Sequence, residues 1–353
     1  MDIIELLTPH YEAAWLPWAV QYFFLIGIAT GAALLGAWSL WAPEGSAAAR
    51  ARPLIIVLLA VTAATAPVAL LADLHQPARF WHFYAHVTPW SWMSVGALLL
   101  PAFVTLALGL CVLWWLDARR WLRPVSLLLA LSAATIVLYT GAELAIVRSR
   151  PLWHNPWAPI NLALTAWLAA VGCLLILSRW IATPDEAGVR RWLGRLGQGL
   201  SLALLATAGS WVLAGLLGKA PSFDSALDLY RNFPVWRISL WISIVLGALT
   251  LTLWSLPSLW LDKRAGTLSL GLVVCAAAWG FRWALFMGVQ GVPKYGAGLY
   301  VYHMPLGGEG LMGIIGIFGL CVTVLMLALW ALDFRPGADR QPRHAPEQLS
   351  PST

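Results

Sequence analysis

Charge is what this sequence has least of. Asp, Glu, Lys and Arg supply 11% of the 353 residues, against about 25% in ordinary soluble domains, while 60% are hydrophobic and the mean hydropathy is +0.75. That balance excludes a soluble protein. Apolar runs of membrane-crossing length recur along nearly the whole chain, so no stretch is left for a separate water-soluble catalytic domain. Cysteine is equally scarce. Cys111, Cys173, Cys275 and Cys321 each stand alone in an apolar run, without the CxxC spacing of an iron–sulfur or zinc site, and read as packing residues. Histidine is missing from the span interiors, since His10, His75, His82, His86, His154, His303 and His344 fall at ends or in loops. A diheme cytochrome b anchor needs axial histidines facing each other inside the bundle, so no heme is expected in this chain. His82 and His86 have helical spacing but flank an outer loop, and no metal site is assigned to them. Lys and Arg form no aromatic-interleaved patch, which removes nucleic acid as a partner despite a net charge of +6. The chain opens on Asp2, Glu5 and Glu12 where a signal peptide needs a basic n-region, so the first apolar run is expected to be a retained helix.

What is present is a series of nine apolar runs, roughly 17–41, 54–74, 91–116, 124–147, 158–181, 196–218, 235–257, 266–290 and 309–333. They are too long and too uniformly apolar for barrel strands, so the expected fold is all-α, a polytopic membrane helical bundle of about nine transmembrane helices embedded in lipid. Pro67, Pro101 and Pro257 lie inside or at the edge of runs and are expected to kink them. Lys and Arg in alternate loops divide 14 against 7, with Arg50, Arg119, Arg190 and Arg340 in the richer set and Arg79, Arg148 and Lys219 in the poorer. The basic excess marks the inside, which puts the N-terminus outside and the C-terminus inside. Residues 1–335 are read as one integral membrane domain and 336–353 as a disordered cytoplasmic tail. Many of the 23 tryptophans fall near span ends, as interfacial anchors do, while those beside polar groups in the outer loops suit a pocket for a flat aromatic headgroup.

Polar residues gather toward the outer ends. Asp73, His75 and Arg79 place an acid, an imidazole and a guanidinium within seven residues, a set able to bind a polar ligand and pass its protons to water. The plainer reading is an Asp73–Arg79 ion pair that pins the loop. Glu143 lies one helical turn after Tyr139, with Arg148 in reach as a structural partner; an acid inside the hydrocarbon edge is otherwise a functional candidate. Trp18, Gln21 and Tyr22 precede Gly27 and Gly31, a small-residue pair suited to close helix packing. If that packing is on the second or fourth helix, Gln21 and Tyr22 face the same outer pocket. Arg282, inside the eighth run, is either a structural clamp or part of a polar route.

The string Asp73-Leu74-His75-Gln76-Pro77-Ala78-Arg79-Phe80-Trp81-His82, followed by Pro89 to Gly96, resembles the membrane subunits of the NrfD/PsrC family, the quinone-reactive anchors of polysulfide-reductase-type complexes. Tyr139-Thr140-Gly141, Arg150-Pro151-Leu152-Trp153 and the first-helix stretch Gly27 to Leu35 resemble the same family, and the region from Val292 to Gly316 looks like its tetrathionate-reductase branch. This likeness implies a heme-free subunit, without an iron–sulfur cluster of its own, that oxidises quinol (menaquinol or ubiquinol) near the periplasmic face of the bacterial inner membrane. It implies an iron–sulfur (ferredoxin-like) partner and a molybdopterin catalytic subunit on that side. It further implies Tyr139 as a quinone contact, with Tyr22, Gln21 and Trp18 in place of the family's first-helix Asn and His. On this reading Asp73 and His75 are catalytic, Arg79 belongs to the quinone site, and Glu143, Arg148 and Arg282 offer a proton path. A secondary transporter using Asp73, Glu143 and Arg282 near the midplane, or a bare structural anchor, are the competing classes.

Overall fold

The computed structural model describes residues 15–74, 76–255, 261–290 and 303–336. Among them all regular structure is helical, and nine helices are long and apolar enough to cross a membrane. They are α1 (Pro17–Trp41), α2 (Arg52–Asp73), α3 (Trp92–Trp115), α4 (Arg119–Ala145), α5 (Trp157–Leu177), α6 (Glu186–Leu216), α7 (Pro234–Ser255), α8 (Arg264–Trp283, continued by a π turn Ala284–Gly288) and α9 (Leu311–Asp333). A short helix, Pro221–Asn232, joins α6 to α7. The expected runs agree with these helices except at α6, which starts at Glu186 rather than near 196. Asp185 is the reason. Its Oδ1 accepts the Gly188 N–H at 2.9 Å, an N-cap bond that starts the helix early and places Arg190, Arg191 and Arg195 on a helix surface instead of a loop. Pro67 and Pro101 do lie inside α2 and α3; Pro257 and the expected tail beyond 336 lie outside the described residues.

α1 is the central helix, packed on α2, α4, α5, α8 and α9. Its glycines set one of these crossings. A Cβ on Gly27 would sit 2.6 Å from that of Ala166, and one on Gly31 would sit 3.0 Å from the Trp167 ring. The partner is therefore α5, not the second or fourth helix. That choice turns Gln21 and Tyr22 to different neighbours. Gln21 faces α8, where its Oε1 accepts the Trp279 indole N–H at 3.1 Å, and only Tyr22 turns toward α2 and α4.

Cysteines expected to stand alone are partly paired. Cys173 on α5 and Cys275 on α8 place their sulfurs 3.5 Å apart as free thiols, while Cys321 donates to the Thr65 hydroxyl. None of the four described histidines lies in a spanning helix.

Candidate functional site

Four helices and one loop enclose a cavity where α2 ends and α1 begins. α1 lacks a capping side chain of its own, since its N-cap is Leu16 and its first helical residue is Pro17. Asp73, the last residue of α2, takes over that task. Its Oδ1 accepts the backbone N–H of Leu16 at 3.0 Å and of Ala19 at 3.2 Å. The carboxylate thus satisfies the Leu16 donor, shares the Ala19 donor with the Leu16 carbonyl, and sits at the positive end of the α1 dipole. Both bonds fall on Oδ1, and the side chain also lines the cavity.

The cavity holds about 460 Å³, within the usual span of small-molecule sites. Its polar wall is Tyr22 from α1, Asp73 from α2, and Tyr139 with Glu143 from α4. Glu143 is near enough to Tyr139, Tyr22 and Asp73 to be coupled to each by charge. The rest is mostly apolar, with Leu100 and Val104 on α3 and Phe80 and Phe83 of the α2–α3 loop; Tyr84 of that loop and Thr105 on α3 add two further hydroxyls. Tyr139 is seated by a glycine, for a Cβ on Gly96 would lie 2.1 Å from its hydroxyl oxygen. Pro67 and Pro101 both face this space. A helical proline leaves the carbonyl four residues earlier without its helix partner; for Pro101 that residue is Ala97, itself in the cavity wall.

Above the cavity lies a vestibule of about 500 Å³ bearing Arg79, His82, His86 and Ser94. Leu74, Phe80, Phe83 and Met93 border both spaces, so only side chains separate the inner carboxylates from the polar loop. On the far wall Trp15 stacks on Trp153 at 4.9 Å. Gln290 holds Trp15 by its backbone, accepting its N–H at 3.0 Å and donating to its carbonyl at 2.9 Å. The π turn of α8 frees carbonyls that outside groups satisfy: the Trp153 indole donates to Leu285 at 2.7 Å, and the buried Arg150 donates to Val289 and Gln290.

The sequence pattern of the family described as "Polysulphide reductase, NrfD" matches residues 6–293. The chain belongs to the NrfD family. Its sequence is also 34% identical over 357 aligned positions to a tetrathionate reductase subunit of Salmonella typhimurium (strain LT2), covering 97% of this chain and 98% of that one. The likeness read from the Asp73–His82 string and from the tetrathionate-type region is thereby shown. Tyr22, Asp73, Tyr139 and Glu143 all fall inside the NrfD match.

The residues singled out from the NrfD-like sequence separate into two groups. Asp73, Tyr22, Tyr139 and Glu143 meet in the cavity, and Arg79 reaches its vestibule. His75 lies outside the described residues. Gln21 points to α8, and Trp18 packs where a Cβ on Gly313 of α9 would come within 2.7 Å of its ring; neither lines the cavity. The two ion pairs considered from sequence do not form. Arg79 donates to the Gln76 side chain at 2.8 Å, Asp73 bonds backbone amides instead, and Arg148 is exposed with no pairing to Glu143. Arg282 is fully buried and acts as a clamp. It donates to the carbonyls of Phe23 (3.2 Å), Ala278 (2.9 Å) and Leu162 (2.7 Å) and to the Thr165 hydroxyl (3.1 Å), tying α8 to α1 and α5. Sequence reasoning missed Trp15, the Phe80–Phe83–Tyr84 cover and the Tyr139–Gly96 contact. Gly96 stands within the family string, so its presence was visible, but its role against a phenol of α4 was not.

Proposed function

We propose that this chain is the quinol-oxidising membrane subunit of a respiratory reductase complex, with the quinol headgroup in the α1–α4 cavity. The observation that carries the reading is a largely apolar cavity where the carboxyls of Asp73 and Glu143 meet the phenols of Tyr22 and Tyr139 beneath a polar vestibule. Oxidising one quinol releases two electrons and two protons. Tyr139, fixed against Gly96, and Tyr22 are hydroxyl donors for the quinone oxygens. Asp73 and Glu143 are the two bases that accept the protons, and the vestibule with Arg79, His82 and His86 is their way to water. His75 remains a candidate third base by its sequence position. Glu143 belongs to this site, while Arg282 is bonded into the clamp between α1, α5 and α8.

The basic asymmetry of the loops puts the vestibule at the periplasmic face of a bacterial inner membrane. Electrons then leave on that side to an iron–sulfur subunit, which passes them to a molybdopterin catalytic subunit; the tetrathionate-reductase relative points to a sulfur oxyanion as terminal acceptor. Protons and electrons exit on the same face, so turnover moves no charge across the bilayer. The quinol is menaquinol or ubiquinol.

Glu143→Gln keeps volume and removes a base. In the assembled complex, quinol-driven turnover should fall by about 10²-fold or more, while dye-driven activity of the soluble subunits is retained. Normal quinol turnover in Glu143→Gln, Tyr139→Phe and Asp73→Asn alike would sink this site and leave a bare structural anchor.

A further inference from the structure

A second, larger cavity lies on the other side of α1, between α9 and the α7–α8 pair. It holds about 830 Å³ and runs from Leu177 at the end of α5 to Met304 before α9. Its wall is almost wholly apolar. The hydroxyls of Thr62 and Ser243 that border it are spent on carbonyls, Thr62 on Leu58 at 2.8 Å and Ser243 on Ser239 and Gly280 at 2.9 and 3.0 Å. Ser239 is the other hydroxyl on a wall otherwise made of hydrocarbon, aromatic and sulfur side chains, and such a lining suits a hydrocarbon chain.

The inner end is different. Two residues beyond Leu177, Arg179 donates through one nitrogen to Leu261 at 3.1 Å and to Thr267, while its buried Nε has no acceptor. Arg190 pairs with Glu186 at 3.0 Å, and its Nε is likewise buried without an acceptor. Arg264 adds a third cation within electrostatic range, and Asp262 and Glu186 are the acids there. Among these five groups the cations exceed the acids by one, Lys263 adds an exposed cation beside Arg264, and the Nε donors of Arg179 and Arg190 lack acceptors. A single phosphodiester supplies a negative charge and the acceptor oxygens.

We infer that this site binds one anionic phospholipid of the inner leaflet, its phosphate among Arg179, Arg190 and Arg264 and its acyl chains in the cleft beside α9. The lipid joins α9, which packs mainly on α2, to the α7–α8 pair. Charge complementarity at the rim selects this occupant over a neutral lipid or a partner helix.

The full chain, purified and delipidated in detergent, should be titrated with phosphatidylglycerol, phosphatidylcholine and inorganic phosphate, read by native mass spectrometry and by Tm. Phosphatidylglycerol should be retained and raise Tm; phosphatidylcholine and phosphate should do neither. Arg264→Gln, an exposed position that spares the fold, should weaken retention about fivefold, the worth of one basic group near a lipid surface, and Arg190→Gln similarly. Arg120→Gln, at the inner end of α4, should leave it unchanged. Ala276→Trp, which fills the cleft with the arginines intact, should also lower retention. Equal retention of phosphatidylcholine, a response to phosphate alone, or indifference to Arg264→Gln and Ala276→Trp would overturn the assignment.

Discussion

Two sets of helices in the bundle overlap in hydropathy and are packed differently. α1, α2 and α5 bury 78%, 67% and 67% of their most apolar stretches, whereas α6, α7 and α9 bury 6%, 11% and 11%. Mean hydropathy does not separate them, since α9 and α2 share the value 2.6. Inside lipid, apolar surface drives no helix association, and small or polar residues decide which helices meet. The first set has them: Gly27 and Gly31 against α5, Asp73 capping α1, Arg282 reaching across from α8. α9 has fewer such ties: the Cys321–Thr65 contact, the seat of Trp18 and the Trp115 indole donating to the Ala331 carbonyl at 2.8 Å. The candidate site sits where the well-packed α1 and α2 meet α3 and α4, which bury 28% and 33%, and the least buried helices lie away from it.

The largest effect that would break this contrast is at Gly96. A methyl group there collides with the Tyr139 hydroxyl, and displacing a positioned group by about 1 Å costs on the order of 10²-fold in rate. Gly96→Ala should cut quinol-driven kcat by that order with the helices still formed by circular dichroism. Unchanged turnover would show that Tyr139 is not positioned for catalysis. Gln21→Leu sharpens the comparison from within the same helix. It removes the acceptor of the Trp279 indole together with an amide nitrogen that has no partner, so stability should stay within about 1 kcal/mol of wild type and quinol KM should not move. A raised KM would bring Gln21 back to the quinone.

The smallest expected effect lies at the start of α6. The Asp185 carboxyl is held below the usual carboxylate range, first by the Gly188 N–H and then by Arg50, whose nitrogen is 2.6 Å away. A depressed folded-state pKa stabilises above the unfolded value of about 3.9 and is lost as pH falls through the folded one. Asp185→Ala should thus lower Tm slightly at neutral pH, and the gap to wild type should close below about pH 4. A gap that persisted in acid would mean that the side chain acts by packing instead.

The helix count, their order and most boundaries were legible because a membrane span writes itself as a continuous apolar run. α6 was misplaced at its start because a cap bond by Asp185 is a local event that an apolar average does not register. Asp73, Tyr139 and Glu143 were legible as polar groups where lipid should not tolerate them. The partners of Asp73 and Arg79 were not, because a carboxylate beside an arginine in sequence suggests an ion pair while the fold offers it two backbone amides. Gln21 and Tyr22 were misjudged as a pair for one geometric reason, that α1 turns its glycines to α5.

Arg282 has a consequence for what the bundle excludes. Its guanidinium stays protonated in a protein, is fully buried, and has no carboxylate partner among the described residues. It therefore fixes a positive potential at the centre of the helix packing, in a medium where like charges repel far more strongly than in water. A proton or sodium ion attempting to cross between α1, α5 and α8 meets that barrier, much as pore arginines reject cations. The residue that ties these helices together thus also sets a cation-repelling charge inside their packing.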